Sequence, residues 1–176
     1  MNTDLRYPIG KFDPTAPVTP AIRKAAIWDL AQAPERVRGA VNRLTDAQLD
    51  TPYRPEGWTV RQVVHHMADS HLNAMTRVRL ALTEDNPTIK PYIEGKWAEL
   101  ADARTVAIEP SVQILDGVHA RLVALLRTLD EADFARTVVH PEHGRTMSID
   151  VLTALYGWHS RHHVRHITAL RERMGW

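Results

Sequence analysis

The chain has 176 residues, with 22 basic against 21 acidic side chains, a formal net charge of +1, and 44% hydrophobic and 24% charged residues. Those values fit one globular domain over residues 1–176 that can bury its own core; the interspersed charges exclude a basic nucleic-acid stripe, and no apolar run approaches the roughly 18 residues of a membrane span. Cysteine is absent, which excludes disulfides, cysteine-based zinc or iron–sulfur ligation and a protein thiol nucleophile.

The chain opens without a basic segment followed by an apolar stretch, so a cytoplasmic address is expected. Residues 1–19 contain Pro8, Pro14 and Pro17 with Tyr7 and Phe12, a pattern that predicts an extended segment tied along the body by its aromatics. Thr19-Pro20 supplies an N-cap and a proline at the first helical position, and Ile22, Ala26, Ile27, Leu30, Val37, Val41 and Leu44 follow at helical spacing. Pro34 is expected to kink or restart that helix. Thr45-Asp46-Ala47-Gln48 is a capping box for a short helical turn, and residues 50–55 read as a loop. A second long helix starts at Thr59-Val60-Arg61-Gln62, carries Val60, Val63, Val64, Met67, Ala74, Met75, Val78 and Leu82 on one stripe, and should end near Asn86-Pro87.

Residues 87–109 read as a long loop with at most a helical turn. A third helix opens at Pro110 and its leucines suggest plain core packing. Residues 137–147 suggest a small hairpin or an irregular turn. Ser148 caps a fourth helix that runs to about Arg173 and is closed by Gly175. Four long helices without a sustained strand pattern predict an all-α fold, a four-helix bundle with an extended N-terminal segment and a longer crossover loop.

Histidine is the unusual component: ten are present, seven of them within residues 65–71 and 159–166. The fourth helix sets Leu152, Leu155, Tyr156, His159, His163, His166, Ile167 and Leu170 on one stripe. His159 and His163 stand i, i+4, a spacing that brings their Cβ atoms to about 6 Å and lets both imidazoles share one ion. His162 falls at the stripe's edge, and His166 reads as a ligand, a ligand's partner or a core residue. An inward histidine is more often hydrogen-bonded packing than a ligand. A second cluster, His65, His66 and His71 on the second helix, weighs against that reading, because bundle metal sites draw side chains from facing helices. Periodicity puts His71 nearest the apolar stripe and does not choose the third ligand. His140 and His143 form a His-x-x-His pair on a loop and, lacking a third ligand, read as incidental.

Four segments, residues 7–12, Gly57 to His71, Tyr156 to Ile167 and Arg173 to Trp176, resemble those of the DinB-like superfamily, and within it the YfiT-type metal-dependent hydrolases associated with bacillithiol S-transfer. The resemblance covers essentially the whole chain. It implies that His66, His159 and His163 are the metal ligands, with His71 a core residue or a ligand's partner, and it implies a homodimer.

Three histidines leave a coordination position open, as a catalytic rather than a closed structural site does. Zinc, the expected ion with nickel as the alternative, lowers the pKa of water to about 7 and favours a thiolate in the same way. The expected activity is therefore attack by water or by a low-molecular-weight thiol such as bacillithiol on a small electrophile. Asp69, Asn73 and His162 are candidates to orient ligands, Trp58, Tyr92, Trp97 and Trp158 to line a pocket, and Arg54, Arg61 and Arg161 to grip an anionic group; each has the plainer reading of a core or solvated residue. Two rivals keep the fold: a non-catalytic metal-binding stress or interaction protein, and a dimeric bundle whose histidines are merely packed.

Overall fold

The computed structural model describes residues 4–142 and 144–176. Helix α1 (Pro20–Val41) starts where expected, with the Thr19 hydroxyl accepting the Ile22 N–H and Pro20 at the first position. It does not restart at Pro34 but continues to Val41. Proline has no N–H, so the Leu30 carbonyl one turn earlier loses its helical donor. His119 replaces that donor: its Nδ1 lies 2.6 Å from the Leu30 carbonyl oxygen.

Both predicted capping boxes form, Thr45 with Gln48 at α2 (Asp46–Leu49) and Thr59 with Gln62 at α3 (Val60–Thr83). Helix α3 stops at Thr83, slightly before the expected Asn86-Pro87 boundary. The stretch after it is more ordered than a loop with one turn, holding α4 (Glu94–Ala98) and α5 (Ala101–Thr105). Helix α6 (Glu109–Leu126) and the short α7 (Glu131–Ala135) follow. The 137–147 region resolves as a hairpin, β1 (Thr137–His140) antiparallel to β2 (Arg145–Ser148), with Thr137 opposite Ser148. Ser148 then caps α8 (Ile149–Met174), and Gly175, at φ 72°, adopts the left-handed conformation that closes it.

Helix α1 packs against α8 and α6, and α3 packs against the same two. The connections from α1 to α3 and from α6 to α8 therefore cross the diagonal of a four-helix bundle. Helices α1 and α8 approach closely at Gly157, where a Cβ would stand 2.9 Å from the Ala26 Cα. No described helix is long and apolar enough to cross a membrane.

The buried apolar side chains form two sections. One gathers Val37, Val60, Val64, Met67, Leu115 and Ile167; the other gathers Leu30, Val78, Leu122, Ile149, Leu152 and Tyr156. Between them along α3, α6 and α8 come His71, His119 and His159 to His163, so a seam of imidazoles interrupts an otherwise apolar core. The N-terminal segment lies without helix across α8, where Tyr7 and Phe12 each bring a ring centroid to 6.0 Å, from His162 and Trp158 respectively.

Candidate metal centre

Helix α3 carries His66 and α8 carries His159 and His163, and the bundle brings one ring nitrogen from each to within 4.8 Å of the others. The Nε2 atoms of His66 and His159 are 3.2 Å apart. Two imidazole nitrogens bound at about 2.05 Å to a tetrahedral ion stand about 3.3 Å apart, so this spacing fits a shared ion without rearrangement. The three rings open into a cleft of 490 Å³ that Trp58, Ser70, Arg77, Tyr156 and His140 also line.

The protonation of the cluster suits ligation. Burial, helped by nearby His162, lowers the His66 pKa to about 4. His159 keeps some ring surface open to the cleft, yet the surrounding protein first and His66 second hold it well below the ordinary histidine value, and burial does the same to His163. All three are therefore neutral at pH 7, the form that donates a lone pair.

Neighbouring groups also determine which nitrogen donates. The Arg6 carbonyl can only accept, so the 3.2 Å contact from His166 Nε2 places the His166 proton on Nε2. His166 is neutral because burial lowers its pKa to about 4, and its Nδ1 is then an acceptor. The His163 Nδ1, 3.3 Å away, must carry the proton that it donates there. That leaves His163 Nε2 with the lone pair. On the other side, His71 Nε2 lies 3.1 Å from His159 Nδ1. An ion held by the His159 Nε2 lone pair would leave the proton on Nδ1, from where it would be donated to His71. The His71 proton would then sit on Nδ1, which is fully buried and lacks a hydrogen-bond partner among the described residues. His71 stacks on His119 at 4.7 Å, and His119 is fixed by the Leu30 carbonyl.

A second histidine group, His162, His163 and His166, also has its nitrogens within 4.8 Å. It is the poorer site: all three residues come from α8, and His166 already uses Nε2 on Arg6 and Nδ1 on His163.

The structure gives His65 and the other candidates their places. His65 Nδ1 bonds the Ser111 hydroxyl at 2.7 Å and its Nε2 meets the Val106 carbonyl, so it anchors α6 and the preceding loop to α3. Arg61 is buried against Asp46 and Asp50, neither solvated nor free to grip an anion. Arg161 pairs with Asp29, and Arg54 meets Tyr53 and the Pro55 carbonyl. Asn73 donates to the Asp69 backbone carbonyl. His162 stacks on Trp158 at 4.4 Å. Trp58 does cover the cluster, 4.7 Å from His66, whereas Tyr92 and Trp97 pack on each other. His140 ends β1 at the cleft, while His143 lies outside the described residues. The sequence reading passed over His119; its place four residues after Leu115 and three before Leu122 would have marked it as facing the core.

Known proteins are similar to this chain over most of its length. The DinB superfamily matches residues 29–167. Relatives from Bacillus mycoides (strain KBAB4) and Bacillus cereus (strain B4264), each named a "putative metal-dependent hydrolase", are 50% identical over 98% of this chain and 99% of their own. The solved structure of YfiT from Bacillus subtilis, described as "a probable metal-dependent hydrolase with an unusual four-helix bundle topology", superposes with a TM-score of 0.95 at 46% identity, covering 98% of this chain and 99% of that one. With the family match, the near full-length identity and the same bundle in agreement, the chain belongs to the DinB superfamily.

Proposed function

We propose that the protein is a metal-dependent enzyme of the hydrolase or thiol S-transferase type, in which His66, His159 and His163 hold one divalent ion, zinc in the first instance and nickel as the alternative. The observation that carries this reading is the convergence of three neutral imidazoles from two helices, His66 and His163 buried and His159 partly so, beside an open cleft. The names of the relatives support the hydrolase class. An ion held there supplies the positive charge that lowers the pKa of water or a thiol toward neutrality.

The chain's own residues do the rest. His166 and His71 hold protons at His163 Nδ1 and His159 Nδ1, which keeps both Nε2 lone pairs facing the site. Trp58 packs against His66 at the edge of the cleft, and Tyr53 stacks on His166 at 4.0 Å, which holds the ring that accepts the His163 proton. Tyr156 forms the floor between His71 and His159.

With no cysteine in the chain, the transferase route needs a cosubstrate thiol, and bacillithiol is the one the resemblance implies. A small electrophile as substrate, a homodimeric assembly and a cytoplasmic address belong to the same proposal. The test is turnover of a model electrophile by zinc-loaded protein, with and without bacillithiol, against chelated protein. Thiol-dependent, chelator-sensitive conjugation supports the transferase. Turnover without thiol supports the hydrolase, and absence of both supports the non-catalytic metal-binding rival.

A further inference from the structure

Seven arginines of the described chain are not fully exposed: Arg23, Arg36, Arg54, Arg61, Arg77, Arg165 and Arg171. Six reach a carboxylate or a backbone carbonyl, as Arg23 does with Asp150, Arg36 with Asp29, Arg54 with the Pro55 carbonyl, Arg61 with Asp50, Arg165 with Glu172 and Arg171 with the Ala40 carbonyl. Arg77 does not. Its one hydrogen bond among the described residues runs from Nη1 to the Tyr156 phenol oxygen at 2.9 Å. Arg77 lines the same cleft as His66, His159 and His163.

The contact to Tyr156 orients Arg77 without neutralising it. Tyr156 is buried, and Ser70 lines the same cleft. A guanidinium held by a phenol on one nitrogen keeps its other N–H donors free, and a planar fork of donors matches a carboxylate. Glu94, which is exposed, also lines the cleft, and no ion pair joins it to Arg77 among the described residues. The Tyr156 ring lies 5.9 Å from the His159 ring. One phenol and one hydrogen bond therefore separate the guanidinium from the histidine cluster, a span on the order of 10 Å.

We infer that Arg77, steadied by Tyr156, is an anion subsite of the cleft and selects a small molecule that carries a carboxylate several bonds from the group that meets the histidine cluster. The inference rests on the metal reading above and adds a substrate feature to it. A thiol or electrophile bearing such a carboxylate is retained over its uncharged counterpart, because a buried-edge guanidinium bonded to a charged acceptor is stabilised more than one bonded to an alcohol.

The test uses cobalt(II)-substituted protein, whose visible spectrum reports both metal uptake and thiolate binding without turnover. Titration with 6-mercaptohexanoate and 6-mercaptohexanol gives two dissociation constants. In the wild type the carboxylate is expected to bind about ten- to hundred-fold more tightly. In Arg77→Gln the ratio is expected to fall to within about threefold with the cobalt spectrum of the unliganded protein unchanged, and Arg77→Lys is expected to restore part of it. Equal affinities in the wild type, or a preference that survives Arg77→Gln, overturn the subsite while leaving the metal centre in place. Failure of the wild type to take up cobalt contradicts the metal reading itself and removes the subsite with it.

Discussion

His163 offers its Nε2 lone pair because a backbone carbonyl near the start of the chain, 160 residues before His166, fixes the tautomer of that histidine. The route runs from the Arg6 carbonyl to His166 and from His166 to His163. Replacing His166 with alanine removes the acceptor for the His163 Nδ1 proton and should weaken metal binding about 10- to 100-fold, as loss of such partners does at metal sites. His166→Gln can still accept from His163 and donate to Arg6, so it should recover part of the affinity in a competition titration against a chelating dye. Equal affinities in wild type and His166→Ala would show that the relay is packing alone. The same side chains give a pH dependence to the metal-free protein. His66, His162 and His166 have pKa values lowered to about 4 mainly by burial, while an unfolded histidine titrates near 6.5. Between those values the unfolded chain binds more protons than the folded one, so stability is full above about 6.5 and falls as the pH drops toward 4. Denaturant midpoints of the chelated protein at pH 7 and pH 5 check this, with the lower midpoint expected at pH 5.

At the scale of elements, α1 and α6 are joined by an exchange of donors. Pro34 deprives the Leu30 carbonyl of its helical N–H, and His119 supplies one from the facing helix. His119→Leu should cost about 1–3 kcal/mol, because it leaves that carbonyl buried and unpaired. Pro34→Ala restores a backbone donor to the same oxygen, so the double variant should recover much of the loss in a denaturation cycle, and strict additivity would refute the link. This exchange also explains what was legible in the sequence. Helix starts were readable because Thr19, Thr45, Thr59 and Ser148 carry their capping chemistry within three residues. Continuity through Pro34 was not, since its compensating donor is 85 positions away in His119. The pair His159 and His163 was readable from one helix alone, whereas the choice of His66 over His65 and His71 depended on the resemblance. Helix phase favoured His71, and the fold uses it to bond His159, because a residue at the centre of the stripe meets the core before it meets a cleft. Arg61 read as a candidate to grip an anion; only the short helix α2 and its C-cap, which bring Asp46 and Asp50 to it, decide that it is neutralised.

For the molecule as a whole, imidazoles interrupt the apolar core between its two sections, and an ion held by His66 of α3 and by His159 and His163 of α8 would cross-link those two helices. Binding to the folded chain alone adds about 2.7 kcal/mol when free metal is a hundred times its dissociation constant. For a chain of this size that corresponds to a Tm about 5–10 °C above that of the chelated protein. Scanning calorimetry with and without chelator reads the difference, and an unchanged Tm would mean that the histidines are packed rather than ligating. The central claim is the identity of the ligands, and elemental analysis of protein purified without a histidine tag tests it most directly. The account predicts about one divalent ion per chain in the wild type. His159→Ala and His163→Ala should lose it with helical circular dichroism retained, and His162→Ala should keep it. An ion lost in His162→Ala but kept in His159→Ala would move the centre to the other histidine group, and a metal-free wild type would contradict the account.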